Sequence, residues 1–130
     1  AEAWQMSNAP VLSMAAHKAA LDIFSEAGMN ALREKSLNLT AYLEFIFQET
    51  ALATGVQLQI ITPTVPTERG CQLSVIVPGA TKQLVKDLAA QGVIVDWREP
   101  NVIRLAPVPL YNRFEDVYSF GKILTDLLKK

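Results

Sequence analysis

Cysteine and histidine are almost absent from this chain, and each absence excludes a class of site. Cys71 is the single cysteine among 130 residues, and His17 is the single histidine. One cysteine excludes an internal disulfide bond and a thiolate zinc site, and one histidine excludes a metal site built from several histidines. Because a cysteine nucleophile needs an activating base and the two residues lie far apart in sequence, Cys71 is expected to be structural. His17 is expected to be a packing or hydrogen-bonding residue.

Excess charge and long apolar runs are also lacking. The chain has 12 Lys and Arg against 13 Asp and Glu, a net charge of −1, and no basic block. We therefore expect neither nucleic acid nor an acidic membrane as a partner. No apolar stretch approaches the roughly 20 residues that span a bilayer, and no signal peptide is evident, so a soluble cytoplasmic protein is expected. The six glycines are scattered singly, which excludes a glycine-rich phosphate loop.

Changes in hydrophobic periodicity predict eight elements in the order α-α-β-β-α-β-β-α. The links within each pair of strands are too short for a parallel crossover, so the strands are expected to form hairpins. The fold class is therefore α+β (mixed α/β), a single domain with a four-stranded, mostly antiparallel sheet whose one face is covered by helices. The predicted helices are Pro10–Ala27, Asn30–Thr54, Thr81–Gln91 and Arg113–Leu128, and the predicted strands are Val56–Ile61, Gln72–Val77, Val93–Arg98 and Val102–Ala106.

The first predicted helix suggests that this chain does not act alone. Its first half, Val11–Ala16, is apolar almost all round, which is typical of a helix buried on more than one side. A small domain cannot easily cover both sides, so we expect this surface to meet another domain or subunit. The chain also opens at Ala1 without an initiator Met, so a piece of a longer protein is expected. Ser7 or Asn8 is expected to cap this helix.

The strongest candidate for a ligand-binding group is Arg104. It lies near the end of the last predicted strand, which cannot continue through Pro107 and Pro109 because proline has no N–H to donate. Its guanidinium offers a planar fork of donors that matches a carboxylate bidentately. The alternative is an arginine on the solvated face of an edge strand, since charged residues are usually exposed.

Four stretches of the chain resemble the kynureninase family. They are Trp4–Pro10, Leu32–Glu44, Glu68–Ser74 and Arg98–Asn112, in order over nearly the whole chain, and the last is long and specific. The resemblance covers only the small C-terminal domain of that enzyme, which has the aspartate-aminotransferase type of fold. It implies a homodimeric, pyridoxal-phosphate-dependent hydrolase of tryptophan degradation and NAD precursor synthesis. Such an enzyme converts kynurenine or 3-hydroxykynurenine to an anthranilate and alanine.

The resemblance also implies roles for two residues of this chain. Arg104 matches the arginine that holds the α-carboxylate of the substrate, and Asn8 matches an asparagine near its aromatic ring that is associated with recognition of the 3-hydroxyl. The lysine that forms the Schiff base and the groups that bind the cofactor belong to a larger N-terminal domain. We therefore expect no catalytic and no cofactor-binding residue here, and no activity from the chain alone. Ala3 stands where the family usually has glycine, and Gly70 is expected to allow an unusual backbone angle within a structural motif.

Two alternatives remain at this stage. The chain could be the small domain of another pyridoxal-phosphate family, such as a relative of the cysteine desulfurases, although the Arg98–Asn112 motif argues against it. It could instead be a free-standing amino-acid-binding or regulatory α/β module in which Arg104 reads a carboxylate. Binding of kynurenine to the isolated chain without cofactor would favour this module.

Overall fold

The computed structural model describes residues 7–129, so the Trp4–Met6 part of the first motif and Ala3 lie outside the described residues. The predicted order of helices and strands is confirmed, with one short 3₁₀ turn added at Pro66–Glu68 in the link between the first two strands. The helices are α1 (Val11–Ala27), α2 (Met29–Thr54), α3 (Lys82–Ala90) and α4 (Phe114–Leu128), and the strands are β1 (Gln59–Ile60), β2 (Leu73–Ile76), β3 (Asp96–Arg98) and β4 (Val102–Leu105).

The four strands form one antiparallel sheet in the order β1-β2-β4-β3. The β1–β2 and β3–β4 hairpins are those expected from the short links, and β2 and β4 pair in the middle. The strands are shorter than predicted. In the register of β3 against β4, Val93 would face Pro107, which has no N–H to offer a neighbouring strand. At the other edge, Leu58 N–H bonds the carbonyl of Val56 in a tight turn, so β1 begins only at Gln59.

The core lies between one face of the sheet and three of the helices. Phe47 of α2 and Phe120 of α4 pack edge to face, with ring centroids 5.7 Å apart. Alternation along β2 and β4 sends every second residue into this core. The buried apolar residues of the cluster are Leu39, Leu43, Ile46, Phe47, Leu73, Val75, Val77, Leu84, Leu88, Ile103, Leu105, Val117, Phe120 and Leu124.

Two threonine side chains of α2 are buried with the apolar residues of that helix. Thr50 is 2 % exposed, and its Oγ1 lies 3.1 Å from Thr125 Oγ1 of α4, so the two hydroxyls bond each other. Thr40 Oγ1 donates to the carbonyl of Ser36 at 2.9 Å. Both threonine hydroxyls therefore have a partner, which removes most of the cost of burying them.

The helices begin and end within one residue of the predicted bounds, but their caps differ from prediction. Pro10 is the N-cap of α1, and no side chain caps that helix, so neither Ser7 nor Asn8 does so. Helix α2 begins at Met29 rather than at Asn30, because Gly28 adopts φ 78° between the two helices. At the start of α4, the backbone N–H of Arg113 donates to the carboxylate of Asp116 at 2.9 Å.

Helix α1 leaves its apolar residues uncovered, as the composition of its first half predicted. None of its residues is buried, and Leu12 is 87 % exposed. The exposed large apolar side chains of α1 are Val11, Leu12, Met14, Leu21 and Ile23. No helix within residues 7–129 is long and apolar enough to cross a membrane.

Helix α4 packs closely against α2 at Gly121. A Cβ at this position would lie 2.4 Å from Cγ2 of Ile46, a methyl group on a branched carbon that cannot swing away. We expect Gly121→Ala to lower the free energy of unfolding by about 1–3 kcal/mol through overpacking, although alanine favours helices. Urea denaturation measures the change, and Ser119→Ala on the exposed side of α4 is the matched control. Stabilisation by Gly121→Ala would contradict this packing.

Candidate functional site

The face of the sheet opposite the core carries the candidate site. Along β4, Ile103 and Leu105 are buried in the core, whereas Val102 and Arg104 point the other way and are half-buried. Arg104 faces Ser74 of β2 and Asp96 of β3 in the sheet register. Since β4 lies between these strands, the alternative of an edge strand is wrong. Arg104 thus lies on the central part of an open face, 32 % exposed.

Asp96 holds the guanidinium of Arg104. Its Oδ2 accepts a hydrogen bond from Nε at 2.8 Å and a second from Nη2. Nη2 of Arg98 lies 3.1 Å from the same oxygen. The hydrogen bonds from Arg104 hold the pKa of the Asp96 carboxyl below its usual value, and the charges of Arg104 and Arg98 act in the same direction. The site therefore combines two guanidinium groups with one carboxylate.

Asp96 bonds only part of the Arg104 guanidinium, namely Nε and Nη2. A guanidinium has two edges that can bind a carboxylate, one formed by Nε and Nη2 and one formed by Nη1 and Nη2. Asp96 bonds the first edge, and Nη1 takes no part in these bonds. A carboxylate ligand could bond the second edge while Asp96 stays in place.

The loop that follows β4 is fixed by Asn112. Its Oδ1 accepts the N–H of Val108 at 2.8 Å, and its own N–H donates to the carbonyl of Val108 at 2.9 Å. Nδ2 of Asn112 also donates to Asp116 at the start of α4, at 3.2 Å. The two prolines and these bonds make the segment after Arg104 a closed loop with little conformational freedom.

Asn8 lies apart from this arrangement. It is exposed in the segment before α1, and its side chain does not cap the helix. The hydrogen-bond and ion-pair partner of Arg104 is on β3, and Asn8 does not belong to that group. The structure thus places Arg104 next to Asp96 and Arg98. It does not place Asn8 in this group.

Sequence reasoning missed Asp96, although a signal for it was available. The turn at Glu99–Asn101 was predicted, and a hairpin closed there places Asp96 directly across from Arg104. Opposite charges at directly facing positions of antiparallel strands are a known stabilising pair. Counting back from the turn would therefore have found the partner of the arginine.

The Glu68–Ser74 motif has the structural role that was predicted, but for another reason. Arg69 is 5 % exposed in its side chain and pairs with Glu44 of α2, and its Nη1 also donates to the carbonyl of Pro63 at 3.2 Å. Arg33 of α2 donates to the carbonyl of Arg69 at 3.1 Å. The expectation for Gly70 is wrong, because its φ is not positive and a Cβ there would meet open space. Arg69, rather than Gly70, fastens this motif to α2.

The other residues with reactive side chains do not assemble into a site. His17 is exposed on α1, and Cys71 is half-buried just before β2. Residues 7–129 contain no group of three or more His, Cys, Asp or Glu placed to hold a metal ion. A cavity of about 340 Å³ lies between β4 and α4, lined by residues such as Leu43, Val95, Pro107 and Phe120, and Arg104 is not part of its wall.

The described residues do not fit pyridoxal phosphate. A Schiff-base lysine is normally enclosed so that its pKa falls, whereas the lysines of residues 7–129 are exposed, except Lys35, which is half-buried. Lys18 and Lys82 form surface ion pairs with Asp22 and Glu99. The chemistry of that cofactor therefore cannot be assigned to these side chains.

Together, the fold and the site define a small α+β domain with a one-sided helical cover and an arginine fork on the open face of its sheet. The family model of the kynureninase C-terminal domain matches residues 32–124. The chain belongs to this family.

Curated relatives agree with this assignment. The chain is 54 % identical over 124 residues to the kynureninase of Christiangramia forsetii, which covers 95 % of this chain and 29 % of the relative. It is 51 % identical over 124 residues to that of Flavobacterium psychrophilum, with the same coverage of 95 % and 29 %. It is 52 % identical over 123 residues to that of Xanthomonas oryzae pv. oryzae, covering 92 % and 28 %. The chain thus spans less than a third of the length of these relatives.

Proposed function

We propose that this chain is the C-terminal domain of a pyridoxal-phosphate-dependent hydrolase of the kynureninase type. The whole enzyme would convert kynurenine or 3-hydroxykynurenine to an anthranilate and alanine, and Arg104 would bind the α-carboxylate of the substrate. The observation that carries this role is the position of Arg104 on the open sheet face, with one guanidinium edge bonded to Asp96 and the other edge outside that pair. A carboxylate is the ligand that such an edge matches.

The other half of the site would come from outside residues 7–129. The cofactor and its lysine would belong to a larger domain, because the described lysines do not fit that role. When bound, the cofactor supplies the electron sink for the reaction. What this chain contributes is the orientation of the substrate through its carboxylate, and the chain alone would be inactive.

The proposed partners of the chain are that larger domain and a second subunit of the same enzyme. The exposed apolar residues of α1 support a partner on this helix, because several large apolar side chains exposed on one helix are typical of a surface that meets a partner. Neither nucleic acid nor a membrane is proposed as a partner, and the proposed location is the cytoplasm. In this setting Asn8, which precedes α1, would reach the aromatic ring of the substrate.

A chimera tests the proposal directly. In it, this chain replaces the matching segment of the Christiangramia forsetii kynureninase, and kynurenine hydrolysis is measured with pyridoxal phosphate present. We expect the chimera to be active and the isolated chain to be inactive, since the chain brings the carboxylate-binding arginine but no cofactor lysine. An inactive chimera that is folded and binds the cofactor would contradict the proposal.

The same chimera tests whether Asn8 contacts the aromatic ring of the substrate. If Asn8 lies near the ring, Asn8→Ala changes the ratio of kcat/KM for 3-hydroxykynurenine and kynurenine, and Ser7→Ala is its neighbouring control. An unchanged ratio would remove Asn8 from the site.

Binding of kynurenine by the isolated chain without cofactor, measured by calorimetry, would favour an amino-acid-binding module instead.

A further inference from the structure

Asp96 bonds Arg104, but the proposed function assigns no role to it. It is 47 % exposed on β3, directly opposite Arg104 in the register, and one of its oxygens accepts both Nε and Nη2 of that arginine. Arg98 approaches the same oxygen from its own strand. A carboxylate this close to a binding arginine has one of two effects. It either fixes the guanidinium for the ligand or competes with the ligand for it.

The geometry decides between these effects. Only one oxygen of Asp96 bonds Arg104, and it does so on the Nε side. The bonded edge is thus the one nearer the side-chain stem, and the outer edge with Nη1 faces away from this pair. An arginine on an open sheet face would otherwise sample many rotamers, and binding would have to order it. Asp96 has already ordered it before the ligand arrives.

We infer that Asp96 is a positioning residue, which holds the Arg104 guanidinium so that its Nη1–Nη2 edge is presented to the substrate carboxylate. The inference rests on the proposed function, in which Arg104 binds that carboxylate. Arg98 supports the arrangement, because it keeps the Asp96 carboxylate between two guanidinium groups and balances its charge. The lowered pKa of Asp96 agrees with this, since its largest cause is the hydrogen bonding from Arg104 to the carboxylate.

The functional test uses Asp96→Ala and Asp96→Asn in the chimera. We expect Asp96→Ala to raise KM for kynurenine about tenfold, the cost of ordering one long side chain on binding, while kcat changes much less. Asp96→Asn keeps an oxygen that accepts from Nε and should give an intermediate KM. Lys82→Ala, which breaks a more exposed surface ion pair with Glu99, is the control and should leave KM unchanged. An unchanged or lower KM in Asp96→Ala would overturn the inference and indicate competition.

A double variant separates positioning from a general structural effect. If Asp96 acts through Arg104, then Asp96→Ala adds nothing to KM in a chimera that already carries Arg104→Ala. If Asp96 only supports the fold, the two effects add, which would overturn the inference. If Arg104→Ala alone leaves KM unchanged, the proposed role of Arg104 is wrong. This outcome differs from one in which Arg104→Ala raises KM and Asp96→Ala does not, which contradicts only the inference about Asp96.

A measurement on the chain itself does not depend on activity. The Nε–Hε signal of Arg104 in a ¹⁵N NMR spectrum reports whether its guanidinium is held. We expect a shifted, slowly exchanging signal in the unaltered chain that moves to the position of solvent-exposed arginines in Asp96→Ala. The same averaged signal in both proteins would overturn the inference, whatever the chimera does.

Discussion

Arg104→Ala in the chimera is expected to lower kcat/KM for kynurenine by about 30- to 5,000-fold, chiefly through KM. This range corresponds to about 2–5 kcal/mol, the usual cost of removing one partner of a desolvated charge pair. The side chain that would be lost is the one whose outer guanidinium edge lies outside the Asp96 pair and is proposed to bind the substrate carboxylate. Steady-state kinetics at several substrate concentrations separate the effect on KM from that on kcat.

The control and the conservative variant make this result specific. Arg113→Ala removes an exposed arginine at the start of α4 and should leave kcat/KM unchanged. Arg104→Lys keeps the charge but loses the planar fork, so it should recover only part of the loss. A decarboxylated analogue of kynurenine should inhibit the chimera and its Arg104→Ala variant equally. Kinetics unaltered by Arg104→Ala would remove this residue from the site.

Glu44→Ala is expected to lower the free energy of unfolding of the chain by about 3 kcal/mol, because it leaves the buried guanidinium of Arg69 without its counter-charge. The Arg69 side chain is 5 % exposed and that of Glu44 is 25 % exposed, so water cannot replace the lost carboxylate well. Urea denaturation followed by circular dichroism measures the change. The effect should extend to the Pro66–Glu68 turn, since Arg33 and Arg69 both bond carbonyls of that link.

Matched variants distinguish this buried pair from ordinary surface charges. Glu49→Ala removes an exposed carboxylate from the same helix and should change stability by less than about 0.5 kcal/mol. The double variant with Glu44→Leu and Arg69→Met should be more stable than Glu44→Ala alone, since it removes both charges together. If Glu44→Ala and Glu49→Ala behaved alike, the pair would have no structural role.

Several features of the fold could be predicted because they follow from local chemistry. The end of β4 was predictable from Pro107 and Pro109, which cannot donate to a neighbouring strand. The core face of β2 was predictable from Leu73, Val75 and Val77, which alternate and are all fully buried. By contrast, the pairing of Glu44 with Arg69 was not predictable, because Arg69 lies 25 residues further along the chain, beyond the end of α2 and β1.

Part of the candidate site could likewise be predicted from local sequence, and part of it required the tertiary structure. Arg104 was singled out from its position before the proline loop, and its match to the family motif added the carboxylate role. That role and the role of Asn8 stay predictions. The pairing of Arg104 with Asp96 required the hairpin register, and the placement of β4 between β2 and β3 required the pairing of strands that are not consecutive in the chain.

By itself, the sequence determined the order of the elements, the class of fold and the family, because periodicity, turn residues and motifs are local properties of the chain. Only the tertiary structure decided that Arg104 lies on a central strand and that Asp96 holds one edge of its guanidinium. It also decided that Arg69 is buried against Glu44 and that Gly121 lets α4 approach α2. The physical reason is that three of these features depend on which distant segments meet and on the burial that results, whereas the bonds of Asp96 depend on how two side chains turn across a hairpin. The spacing of neighbouring residues encodes neither.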